Sequence, residues 1–236
     1  MLKKILLSIG YILLLQTAFA QKKWFSFYTD SAALVKKGTS ISQQFMKEVR
    51  ALKPDLAMQP KVILHTTPYL IYYDLKEQRV NLPLWNQMPK ELVSFFTEMA
   101  GSEPKGRQMF ALFFNGFYLP HELGHGFQHL VAKAKLGYEG EYFANTVAVL
   151  WWRKHHQKKQ LKQCYELAKN IMTKLTNPVP AGQTMQQYYS ENYEKASENP
   201  YVYGYMQFGQ LVQIYKDKSL PDFDTFIQNY LKVQKL

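Results

Sequence analysis

His121-Glu122-Leu123-Gly124-His125 places two imidazoles four residues apart, with a carboxylate directly after the first. On a helix the i and i+4 side chains share one face about 5–6 Å apart, so both rings can reach one tetrahedral divalent ion such as zinc. Glu122 leaves the helix at a neighbouring angle, where it can take a proton from water activated by the metal instead of ligating it. A catalytic zinc needs a third protein ligand and one position left open for water. The motif therefore demands a further donor elsewhere in the chain.

Sixteen residues past His125, the run Glu141-Tyr142-Phe143-Ala144-Asn145 opens a strongly apolar stretch at helical spacing. A helix here that packs across the first one turns Glu141 toward the metal, with Ala144, Asn145 and Ala148 on the same face at i+3, i+4 and i+7. The alanines let two helices approach closely. Asn145 can accept a hydrogen bond from the far ring nitrogen of His121 or His125, the kind of contact that fixes a histidine tautomer. Two other donors compete for the third position. His129 lies one turn beyond His125, but three successive i+4 positions extend about 12 Å along a helix, too far to converge without distortion. Glu139 precedes Gly140 and points elsewhere if the helix begins near there. His65, His155 and His156 have no partner pattern, and Cys164, the one cysteine, excludes both an intrachain disulfide and any zinc site built on two thiolates.

His-Glu-x-x-His followed by Glu-x-x-Ala-Asn resembles the gluzincin branch of the zincin metallopeptidases over about residues 61 to 152. The resemblance implies that His121, His125 and Glu141 bind zinc and that Glu122 is the general base and acid. Many gluzincins have Asp where this chain has Asn145. A metzincin pattern does not fit, because Gln128 and Val131 stand where that branch needs a glycine and a histidine. Zincins also commonly carry a Tyr or His that steadies the oxyanion, and in Tyr201-x-Tyr203-Gly204-Tyr205 the resemblance points to Tyr205, slightly ahead of Tyr203.

The elements that must position these residues follow from pattern. Asp30 or Thr29 can cap a helix carrying Ile41, Phe45, Val49 and Leu52 at helical spacing. Val62 to Leu64, Tyr69 to Tyr73 and Val80 to Leu82 are rich in β-branched and aromatic residues, which predicts a small antiparallel sheet with one hairpin. Pro83 predicts that the last strand is an edge, so that Val80 to Leu84 can pair with an extended peptide. Helices are expected over about 89–100, 104–118, 120–134, 139–175 with a break near His155-His156, 200–216 and 221–234. Pro120 sits just before the motif and cannot bond the Gly116 carbonyl, so the segment either kinks or starts a new helix there. The class is α+β, with an early small sheet followed by helices, and the gluzincin resemblance implies that this fold is zincin-like.

Lys3 and Lys4, the apolar run Ile5 to Leu15 and Ala18-Phe19-Ala20 resemble a cleaved secretory signal peptide over residues 1–20, leaving 21–236 as a single domain that is secreted or periplasmic. That segment carries two of the 29 basic residues and none of the 18 acidic ones, so the net charge falls from +11 to +9. For an exported chain the excess favours anionic envelope surfaces over nucleic acid. Arg153, Lys154, Lys158 and Lys159 form the densest basic cluster, expected on one solvated helix face. No later apolar run is long enough to span a membrane. Together these readings predict an exported zinc metallopeptidase acting on peptides or proteins. The alternative is a zincin-like envelope binding protein with structural zinc and no hydrolysis.

Overall fold

The computed structural model describes residues 24–67, 70–134 and 137–235; the expected signal peptide lies outside them. Helix α1, Ser31–Leu52, starts where the Asp30 carboxylate accepts the Ala32 and Ala33 amides at 2.8 and 3.3 Å, satisfying donors that a first turn leaves open. Its buried face carries Leu34, Ile41, Phe45 and Val49. Gly38 lets this face approach the sheet, since a Cβ there would come within 2.8 Å of Leu82 and 3.1 Å of Val62.

The sheet comprises β1 (Lys61–Leu64), β2 (Tyr72–Asp74) and β3 (Arg79–Leu82), in the order β1-β3-β2. The β2–β3 hairpin is antiparallel as expected, and Arg79 closes it on Asp74 at 3.1 Å. Two expectations are corrected. β1 runs parallel to β3, so the sheet is mixed, and β3 is the central strand and not an edge. Pro83 does not force β3 outward because the paired register ends at Leu82, so the missing proline N–H falls beyond the ladder. The edges are β1 and β2.

Helices make up the rest: α2 (Lys90–Ala100), α3 (Glu103–Leu112), α4 (Tyr118–Ala132), α5 (Tyr138–Lys154), α6 (Lys158–Met172), α7 (Met185–Ser197), α8 (Pro200–Lys216) and α9 (Phe223–Val233). Gly101 ends α2 at φ 85°, a left-handed stop that suits glycine. The expected 139–175 helix breaks at His155–Gln157, which divides the basic cluster between α5 and α6. Lys154 is bound to Asp224 and Glu48, and Arg153 donates to the Tyr215 carbonyl, so half of that cluster ties elements together. Helix α7 has no counterpart among the expected elements. The largest buried cluster draws on residues from Trp24 to Leu231, and a smaller one gathers Tyr138, Tyr189, Ala196 and Met206 where α5, α7 and α8 meet. The chain is thus mostly helical with a small sheet, compatible with α+β. Among the described residues, no helix is long and apolar enough to cross a membrane.

Candidate metal centre

The entry to the motif helix is set by Pro120. Between α3 and α4, Phe113–Phe117 form a π-helical turn in which Asn115 leaves helical geometry, at φ −102° and ψ 23°. The wider turn relieves the collision that proline imposes on an α-helical ladder. Its carbonyls find partners outside the helix. Trp24 Nε1 donates to Gly116 at 2.8 Å, the Phe25 amide donates to Asn115 at 2.9 Å, and Trp152 Nε1 donates to Phe117 at 3.2 Å. Trp24→Phe removes the donor to Gly116 and is expected to destabilise the protein by about 1–3 kcal/mol, the cost of an orphaned buried carbonyl. A lower urea midpoint with an unchanged m-value checks this.

Helix α4 then packs on α5 through small residues. Gly124 lies against Ala144 and Val147, where a Cβ would sit 3.3 Å from each, and Ala144 and Ala148 are fully buried. This close approach brings three donors together. His121 Nε2 is 3.1 Å from His125 Nε2, and Glu141 Oε2 is 3.2 Å from the first and 3.4 Å from the second. A tetrahedral ion with bonds of about 2.0–2.1 Å has ligand atoms about 3.3–3.4 Å apart, so the triangle has the size of one metal ion's coordination face. The donor set of two imidazoles and one carboxylate suits zinc, and the same ligands accept other divalent ions. The buried group His121, His125 and Glu141 could therefore hold a metal ion.

Exposure is 2% at His121, 6% at Glu122, 8% at His125 and 2% at Glu141, so four ionisable groups share a dry site and must neutralise one another. Burial pushes Glu141 up, but His125 and His121 outweigh it and hold the carboxyl well below the usual range. Burial pulls His125 down, yet the Glu141 carboxylate outweighs it and the ring's proton affinity rises. Glu122 goes the other way: burial raises its carboxyl, with His121 and His125 only partly opposing. Glu122 Oε1 stands 4.0 Å from His121 Nε2 and is not one of the three clustered ligands. The Tyr73 backbone amide of β2 lies against it and favours its charged form.

The surrounding contacts orient these three donors. Asn145 Oδ1 is 2.9 Å from His121 Nδ1, the contact expected of Asn145. Tyr193 donates to Glu141 Oε1 at 2.5 Å, and Gln207 Nε2 donates to Glu141 Oε2 at 2.6 Å. Burial and the Glu141 carboxylate push the Tyr193 phenol up, which keeps it a donor. Tyr193, Gln207 and Gln210 were not among the expected site residues. Gln207 and Gln210, three residues apart among Met206, Phe208, Leu211 and Ile214 of α8, were the available signal.

Of the rival donors, Glu139 accepts Gln186 Nε2 at 2.6 Å and faces α7, and His129 is not in the cluster. His155 is bound to Glu48 and His65 to the Tyr72 hydroxyl. Tyr205 packs against the main apolar cluster, and none of its contacts among the described residues reaches His121, His125 or Glu141. Tyr203, which accepts Gln207 Nε2 at 2.9 Å, is the member of that run nearest the site chemistry. No family model, curated protein or solved structure matches the chain.

Proposed function

We propose that the chain is an exported zinc metallopeptidase of the gluzincin kind, with residues 21–236 forming one zincin-like domain behind a cleaved signal peptide. The observation that carries this reading is the buried His121–His125–Glu141 triangle, sized for one ion, with a separate carboxylate, Glu122, 4.0 Å from His121 Nε2. When bound, zinc supplies a Lewis acid for a scissile carbonyl and brings the pKa of water toward about 7. Glu122 acts as general base and acid. Burial holds its carboxyl above the ordinary range, which suits a group that accepts a proton from water near neutral pH and returns it to the leaving amine. Tyr193 and Gln207 hold Glu141 from both oxygens, so the third ligand keeps one orientation through turnover.

Because β3 is paired on both sides, an extended peptide uses β2, the edge strand that lies against Glu122. Protein beginning at Gln21 is expected to hold one zinc per chain and to cleave members of a mixed peptide library, with chelation abolishing cleavage and zinc restoring it. Stoichiometric zinc with no cleavage of any peptide would make the ion a structural clamp in a binding protein. Absence of stoichiometric zinc after the metal is supplied would overturn the metal reading itself.

A further inference from the structure

We infer that Asn145, Gln207 and Gln210 form a directional amide relay that fixes which nitrogen of His121 faces the metal, and that the relay closes only with asparagine at position 145. The inference rests on the metal-site reading and is independent of hydrolysis. It starts from two atoms that can only accept hydrogen bonds, the Tyr138 backbone carbonyl on α5 and Glu141 Oε2. Gln210 Nε2 donates to the first at 3.0 Å and Gln207 Nε2 donates to the second at 2.6 Å. A carboxamide carries its donor on one branch and its acceptor on the other, so both glutamine oxygens turn the opposite way. They converge on Asn145, whose Nδ2 donates to Gln207 Oε1 at 3.0 Å and to Gln210 Oε1 at 2.9 Å. Both Nδ2 hydrogens are then committed.

What remains of Asn145 is Oδ1, an acceptor, 2.9 Å from His121 Nδ1. A neutral His121 must therefore carry its proton on Nδ1 and leave Nε2 bare, aimed at His125 Nε2 and Glu141 Oε2. Turning either glutamine over would set its oxygen against the Tyr138 carbonyl or the Glu141 carboxylate. Aspartate at 145 would accept from His121 equally well, but it would set oxygen against both glutamine oxygens, which are pinned from their far ends. Gln207 also joins two ligands through one side chain, since it holds Glu141 directly and orients His121 through Asn145. All three relay residues are buried, so water cannot repair a mismatch.

Nitrogen NMR on metal-free protein, taken at a pH where the ring's own nitrogen shifts show His121 to be neutral, reads the tautomer directly. The Nδ1–H form of His121 is expected, and the Nε2–H form or an even mixture would overturn the relay. This measurement needs no variant, so it decides the matter even where a substituted chain does not fold. The second readout is zinc affinity by chelator competition. Asn145→Asp is expected to weaken binding by about 10–100-fold, the range seen when the partner of a ligating histidine is lost. Gln210→Leu should weaken binding in the parent yet recover part of the loss in the Asn145→Asp background, because it removes an oxygen opposing the carboxylate. Equal or tighter binding by Asn145→Asp, or purely additive effects of the two changes, would overturn the relay. A parent that binds no zinc would defeat the metallopeptidase reading, while the tautomer would still test the relay.

Discussion

Glu122→Gln is expected to lower peptide turnover by about 10²–10⁴-fold while zinc stays at one per chain, the range for removing a general acid–base group. The substitution keeps the shape of the side chain and an oxygen that can face the Tyr73 amide, but the amide cannot accept a proton from water. Zinc affinity should change little, because Glu122 is not among the three clustered ligand atoms. Stability of the metal-free protein should hold or rise, since a buried carboxyl already raised by desolvation becomes neutral. The check is kcat on the best library peptide together with zinc per chain, both on folded protein. Turnover equal to the parent's would remove Glu122 from the chemistry, and loss of zinc would make it a ligand.

The centre was legible where its geometry is local. An i,i+4 histidine pair needs only a helix, and Glu141 and Asn145 need only that the next helix cross the first, which Gly124, Ala144 and Ala148 permit at close range. The contacts that lock the ligands were not legible, because they span large sequence separations. Gln207 lies 66 residues from Glu141, and Tyr193 lies 52 from it. Such partners depend on how α7 and α8 dock. Helix α7 carries a Thr184–Gln187 capping box, a local start signal. Its packed face is Met185, Tyr188, Tyr189, Tyr193 and Ala196, with no branched aliphatic residue, so hydrophobic periodicity passed over it. The sheet shows the same limit. The hairpin is a short-range feature and was predicted, while the parallel pairing of β1 with β3 passes over β2 in the chain and lies against α1. Pro83 constrained β3 less than expected because it falls one residue past the register.

Glu141→Gln carries the other large effect, a loss of zinc affinity of about 10²–10³-fold. Zinc held by four protein ligands binds with about 10–16 kcal/mol at neutral pH. An even share per ligand is about 2.5–4 kcal/mol, and each 1.4 kcal/mol is tenfold. Neutral glutamine still offers an oxygen, so the outcome depends on which branch it turns toward the histidines. Gln207 Nε2 can only donate to the branch it touches, whereas the Tyr193 hydroxyl can rotate and accept from the other. The substituted amide therefore keeps oxygen in the place of Oε2 and nitrogen toward Tyr193. The fold around the site is retained, and what disappears is the negative charge that binds the ion. At a zinc concentration that stabilises the parent by about 3–4 kcal/mol, roughly 10²–10³ times its Kd, the variant should retain no more than about 1.5 kcal/mol. Chelator competition gives the affinity, and the urea midpoint with and without zinc gives the linked stability. Unchanged affinity would exclude Glu141 as the third ligand. The search would then pass to His129, one turn beyond His125, because Glu139 is already held by Gln186 on the face toward α7.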